Sequence, residues 1–159
     1  MSISIPAHFI DQIKAQAEKD YPNETCGILT GAKNSKDKIT SIYPCPNAQN
    51  KYHELDPVSF PRTAQTAYFI DPADLLRIQK ENRDKNQEMR VIYHSHINAG
   101  AYFSEEDQRI ALSEGKPAYP GVSYLVLSVR EGKVGDRALF SWDEASKSFI
   151  QKKDDKVVK

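Results

Sequence analysis

The segment Arg90-Val-Ile-Tyr-His-Ser-His96 constrains this chain most, because it reads as a strand that ends in two histidines one residue apart. Side chains alternate faces along a strand, so His94 and His96 point the same way and Ser95 points opposite. At a rise of roughly 3.3 Å per residue their Cα atoms stand about 6–7 Å apart, and both imidazoles can converge on one metal ion. A single histidine in such a place is more simply a polar strand-end residue. The pair, followed by the turn Asn98-Ala-Gly100, makes ligation as good a reading as the plain one.

After seven intervening residues beyond His96 comes Ser104-Glu-Glu-Asp107. Taken alone it is a helix start, a hydroxyl followed three residues later by an acidic side chain, with further carboxylates complementing the helix dipole. The intervening residues are long enough to bring Asp107 back beside the histidines, so capping and ligation are compatible. Ser104 would then stand at the helix entrance with its hydroxyl available to a developing oxyanion. Glu24 begins the apolar strand Glu24-Thr-Cys-Gly-Ile-Leu-Thr30, where a carboxylate is out of pattern. Its plain reading is an exposed strand-end residue. Its chemical reading is a general base that deprotonates metal-bound water and passes the proton to a leaving amine.

Composition narrows the classes. The 159 residues suit one domain with one core. Twenty-two basic and twenty-two acidic residues leave no net charge, which argues against nucleic acid or an anionic membrane as partner. The longest apolar runs, Tyr124–Leu127 among them, are far too short to span a bilayer, and the first residues lack the pattern of a secretory signal. Two cysteines, Cys26 and Cys45, make no disulfide framework, and a cytoplasmic location is expected. A metal site must then rest on histidine and carboxylate, the ligand types of a catalytic zinc that keeps one position for water.

The expected architecture is α+β, a mixed sheet interleaved with helices, with the domain over 1–151 and a solvated tail over 152–159. Pro6 with Phe9, Ile10, Ile13 and Ala17 predicts an amphipathic helix, and Asp71-Pro72 predicts a capped one carrying Leu75, Leu76 and Ile78. A third helix is expected from Ser104 to about Glu114, ended by Gly115 and Pro117. Strands are expected at 24–30, 38–43, 68–70, 90–96, 122–130, 137–142 and 148–151, and a surface loop with a short helix over 46–66. His8 and His53 read as surface residues, Cys26 as a small buried one, and Phe140 and Trp142 as core.

Glu24 with Thr-Cys-Gly-Ile-Leu, then His94-Ser-His96, seven residues, and Ser104-x-x-Asp107 resembles the JAMM motif of the MPN+ metallopeptidase family. Flanking similarity extends over roughly residues 5–150, including the Asp-Pro helix and the Ala-Tyr-Phe-Ser-x-x-Asp run. The resemblance implies the curved mixed sheet flanked by helices shared with cytidine deaminases. It implies one Zn2+ per chain on His94, His96 and Asp107, with Glu24 as general acid/base and Ser104 as oxyanion stabiliser. It further implies hydrolysis of an amide or isopeptide bond after the Gly-Gly tail of a ubiquitin-like or sulfur-carrier protein. One departure stands out: many relatives carry Pro after the second histidine, where this chain has Ile97.

Two other classes compete. A non-catalytic MPN scaffold would usually lack one of the five residues, and all five are here. A nucleobase deaminase needs His-x-Glu with Pro-Cys-x-x-Cys, which is absent, and a phosphoesterase needs more ligands than four histidines readily supply. The loop over 51–66 is the candidate for gripping a substrate tail that adds as a strand to a sheet edge.

Overall fold

The computed structural model describes residues 3–152 and 156–158. In chain order the elements are β1 (Ser4–Pro6), α1 (Ala7–Asp20), β2 (Cys26–Ala32), β3 (Ser41–Cys45), α2 (Gln49–Leu55), α3 (Pro72–Asp84), β4 (Gln87–Ile97), α4 (Glu105–Ala111), β5 (Leu112–Ser113), β6 (Lys116–Pro117), β7 (Ser123–Arg130), β8 (Lys133–Asp143), β9 (Ser148–Lys152) and β10 (Lys156–Val158). Six strands form the main sheet in the order β3-β2-β4-β7-β8-β9. Only β4 and β7 run parallel within it; the other neighbours are antiparallel. The mixed α/β class expected from the sequence is the class observed.

The central strands are buried on both faces, and their alternation sorts two cores. Val91, Tyr93, Leu125 and Leu127 pack with Phe9, Ile10 and Ile13 of α1. Ile92, Tyr124 and Val126 pack with Ile78 of α3 and with Phe103. Burying each large apolar side chain contributes roughly 1.5–3 kcal/mol, so together these rows pin the register of β4. A slip of one residue would exchange the rows and turn His94 and His96 toward α1. Sheet packing therefore aims both imidazoles at the α3–α4 side.

Gly27 is needed for that packing. It pairs with Tyr93 across β2 and β4, and a Cβ at this position would stand 2.1 Å from the Tyr93 hydroxyl. Tyr93 cannot retreat: it is fully buried, and its hydroxyl donates to Gln16 Oε1 at 2.6 Å. We expect Gly27→Ala to lower the unfolding free energy by about 1–3 kcal/mol, as overpacking does. Urea denaturation checks this, and an unchanged midpoint would contradict it.

Several expected elements change. Residues 68–70 form one bridge, Asn47 with Ile70, because the Asn47 side chain takes the Phe69 N–H in place of a neighbouring strand. The helix after Ser104 stops at Ala111, and Glu114 and Gly115, both at positive φ, close a small β5–β6 hairpin. Glu131 and Gly132 make the same kind of turn between β7 and β8, which lengthens β8 beyond the expected 137–142. The strand after Glu24 begins at Cys26, and the one expected at 38–43 lies at Ser41–Cys45. The expected tail is corrected over Lys156–Val158, which pairs in parallel with β1, whose edge leaves backbone groups to satisfy. Residues 153–155 and 159 lie outside the described residues. No helix among the described residues is long and apolar enough to cross a membrane.

Candidate metal centre

Strand β4 delivers His94 and His96, and the first turn of α4 delivers Asp107. His94 Nε2 lies 3.1 Å from Asp107 Oδ1, His96 Nε2 3.0 Å from Asp107 Oδ2, and the two Nε2 atoms 3.3 Å apart. All three side chains are buried. Ligands on a tetrahedral zinc at about 2.0–2.1 Å stand roughly 3.3 Å from one another, so these separations, which are also those of imidazole–carboxylate hydrogen bonds, would accommodate a shared ion. Among the described residues this is the one cluster of three such groups that could hold a metal.

The hydrogen bonding of His96 agrees with ligation. His96 Nδ1 donates to the Gly100 carbonyl at 2.9 Å, which leaves the Nε2 lone pair of the neutral ring for a metal. His94 is held by its ring, stacked on the buried Tyr68 at 4.4 Å between centroids. Tyr102 meets the His96 ring edge-on at 4.8 Å. Burial alone would raise the Asp107 carboxyl. In the metal-free chain, attraction to His94, hydrogen bonds with both imidazoles and the Ser104 N–H outweigh it and hold the group well below the ordinary carboxylate range, and an arriving metal would take the place of the imidazole protons.

The two readings of Ser104-x-x-Asp107 coexist. Ser104 Oγ accepts from Asp107 N and Ser104 N donates to Asp107 Oδ2, both at 3.0 Å, a complete capping box at the start of α4. The box fixes the rotamer of Asp107, so the oxygen that caps the helix, Oδ2, also faces His96 while Oδ1 faces His94. The Ser104 hydroxyl proton is left free to donate.

Glu24 lies just before β2, where Cys26 pairs with His94, and it shares a pocket of about 160 Å³ with His96 and Ser104. Its backbone is held from two sides: its N–H donates to the Ala64 carbonyl at 2.7 Å, and its carbonyl accepts from Asn47 Nδ2 at 2.9 Å. The carboxyl is buried, and Oε1 has no hydrogen-bond partner among the described residues. A buried acceptor without a partner costs about 1–3 kcal/mol, and a water held against a cation at the three ligand atoms would satisfy it. The donor set and this orphan oxygen both fit a zinc ion.

Burial pushes the Glu24 carboxyl from an ordinary 4.5 up to about 9, the charge of Asp107 adding and that of Arg62 opposing. In metal-free protein the folded chain then binds the extra proton. This contribution to stability is complete below pH 4.5 and is lost as pH rises through about 9. Metal-free Glu24→Gln lacks the titration, so its stability should fall less than that of the parent chain from pH 4.5 to 9. Urea titrations across that range check the difference, and parallel slopes would contradict it.

Sequence reading missed Asn47 and Arg62. Asn47 binds four backbone groups: its amide donates to the Glu24 and Ala67 carbonyls, and its oxygen accepts from the N–H groups of Gln49 and Phe69. It ties the 46–70 segment to the Glu24 backbone. An asparagine beside Pro46 reads as a turn residue, and nothing local signals these distant partners. Exposed His8 and half-buried His53, whose Nδ1 meets the Phe60 carbonyl at 2.7 Å, are not among the grouped ligands. Cys26 is buried and free, and burial pushes its thiol well up.

The family of prokaryotic homologs of the JAB domain matches residues 6–143. Proteins of Mycobacterium bovis and Mycobacterium tuberculosis named CysO-cysteine peptidase are 28% identical over 127 residues, 80% of this chain and 73% of theirs. Solved structures share the fold. A Desulfitobacterium hafniense protein has a TM-score of 0.71 at 24% identity, over 99% of this chain and 92% of that one. A JAB1/MPN domain protein of Archaeoglobus fulgidus has a TM-score of 0.54 at 14% identity, with both chains fully covered. The match across nearly the whole sheet and both ends of the metal centre makes this chain a member of the prokaryotic JAB family.

Proposed function

We propose that the protein is a cytoplasmic zinc peptidase of the JAMM type that cleaves the amide bond after the C-terminal Gly-Gly of a sulfur-carrier or other ubiquitin-like protein. The observation that supports it most is the convergence of His94 Nε2, His96 Nε2 and both Asp107 oxygens within 3.0–3.3 Å beside the unpartnered Glu24 oxygen. The name of the mycobacterial relatives, CysO-cysteine peptidase, favours a carrier protein as substrate.

His94, His96 and Asp107 would hold the ion. Bound there, zinc would supply a Lewis acid for the scissile carbonyl and would lower the pKa of an attacking water. Glu24 takes the proton from that water as its oxygen adds to the acyl carbon. Ser104 donates its hydroxyl to the oxygen that gains charge. Glu24 then gives the proton to the amine as the carbon–nitrogen bond breaks, which leaves a carboxylate on the carrier and restores the enzyme. Burial of Glu24 raises its hold on the proton that it must keep between these two steps.

Metal analysis of the purified protein and mass spectrometry of Gly-Gly-tailed carriers bearing different C-terminal extensions test the reading together. One zinc per chain and a single cut after the second glycine are expected. A zinc-free chain that cuts none of them would overturn it.

A further inference from the structure

The pocket beside Glu24 contains a cation that amide hydrolysis does not require. Arg62 lines it together with Glu24, His96, Tyr102 and Ser104. Its Nε pairs with Glu106 Oε2 at 3.2 Å and its Nη1 donates to the Thr66 carbonyl at 3.3 Å, while Nη2 has no partner among the described residues. Glu106 does not cancel this charge. It also accepts from Arg109 Nε at 2.7 Å, so one carboxylate serves two guanidiniums and the cluster stays positive. The pocket, at about 160 Å³, is well below the roughly 300–1,000 Å³ of sites that take drug-sized ligands. It suits one small residue.

We infer that Arg62 binds the free α-carboxylate of the amino acid being released, and so selects carriers extended by a single C-terminal residue over isopeptide-linked ones. The inference rests on the peptidase reading above and names its leaving group. In an α-amino acid one carbon separates the amine from the carboxylate. An amine placed to accept the Glu24 proton therefore carries its carboxylate within the same small pocket, where Arg62 is the cation other than the metal that His94, His96 and Asp107 would hold. Glu24 is neutral while it holds that proton, so it does not repel the carboxylate as the bond breaks. The two groups line the same pocket, and the charge of Arg62 opposes the burial that raises the Glu24 carboxyl. An isopeptide-linked lysine lacks this match, because its backbone lies four methylenes from the reacting nitrogen. A guanidinium already held by two contacts offers its remaining N–H groups in a fixed fork, the geometry that carboxylates favour.

The test uses two carriers identical through Gly-Gly and one further residue, one with a free carboxylate and the other with a carboxamide, cleaved by the zinc-loaded full-length protein. The expected ratio of kcat/KM is roughly 10- to 100-fold in favour of the carboxylate, the scale of a charge-assisted hydrogen bond. It should appear mainly in KM. Arg62→Gln should bring the ratio toward one, and Arg62→Lys should keep part of it. Equal cleavage of both carriers by the parent enzyme would overturn the inference whether or not the variants fold, and so would an undiminished ratio in Arg62→Gln. Cleavage of neither would instead overturn the peptidase reading, and this inference with it.

Discussion

Glu24→Gln is expected to keep a full complement of zinc and to lose roughly 100- to 10,000-fold in kcat, the span typical of a positioned general acid/base. The substitution preserves shape and one oxygen, and Glu24 is not among the three grouped ligand side chains. Its backbone anchors to Ala64 and Asn47 do not involve the carboxyl, so the site should remain assembled. What disappears is the ability to accept a proton from water and return it to the amine. Metal analysis beside single-turnover cleavage of a Gly-Gly-tailed carrier reads both quantities. Activity within a few-fold of the parent at equal zinc content would remove Glu24 from the mechanism.

Asp107→Asn should have the opposite signature, with metal and activity lost together. An amide oxygen can still accept the Ser104 N–H, so the cap on α4 can persist and the helix should stay folded. The negative charge facing both imidazoles is gone, however, and it is the only carboxylate in the ligand group. Zinc affinity should fall by more than the roughly 10- to 100-fold that follows loss of a supporting hydrogen bond alone. Competition against a chelator measures the affinity, and circular dichroism confirms the helix. Undiminished zinc affinity would mean that Asp107 serves only the cap.

The parts of the site carried by local periodicity were legible in the chain. A strand period of two puts His94 and His96 on one face, and the structure agrees because Val91, Tyr93 and Ile92 obey the same alternation on either side of the sheet. The Ser104-x-x-Asp107 spacing carried two meanings, and both occur at once, because the capping box is what orients the carboxylate. The 46–70 segment was opaque for a physical reason. Its order comes from the Asn47, Gln49 and Asn50 side chains bonding backbone groups up to 23 residues away, and from the Tyr52, Phe60 and Phe69 rings packing together. None of these has a short-range signature. The Glu114-Gly115 and Glu131-Gly132 turns were missed because glutamate rarely takes positive φ, a cost met here by the strands that the turns join. The role of Arg62 depends on where that loop folds back, so it too was hidden.

Crystallography of the zinc-loaded protein with data collected on both sides of the zinc absorption edge tests the central claim most directly. The account predicts one anomalous peak within about 2.0–2.2 Å of His94 Nε2, His96 Nε2 and an Asp107 oxygen, with one coordination position left to solvent facing Glu24. A peak elsewhere, or an Asp107 carboxylate turned away from a metal that the histidines hold without it, would contradict it.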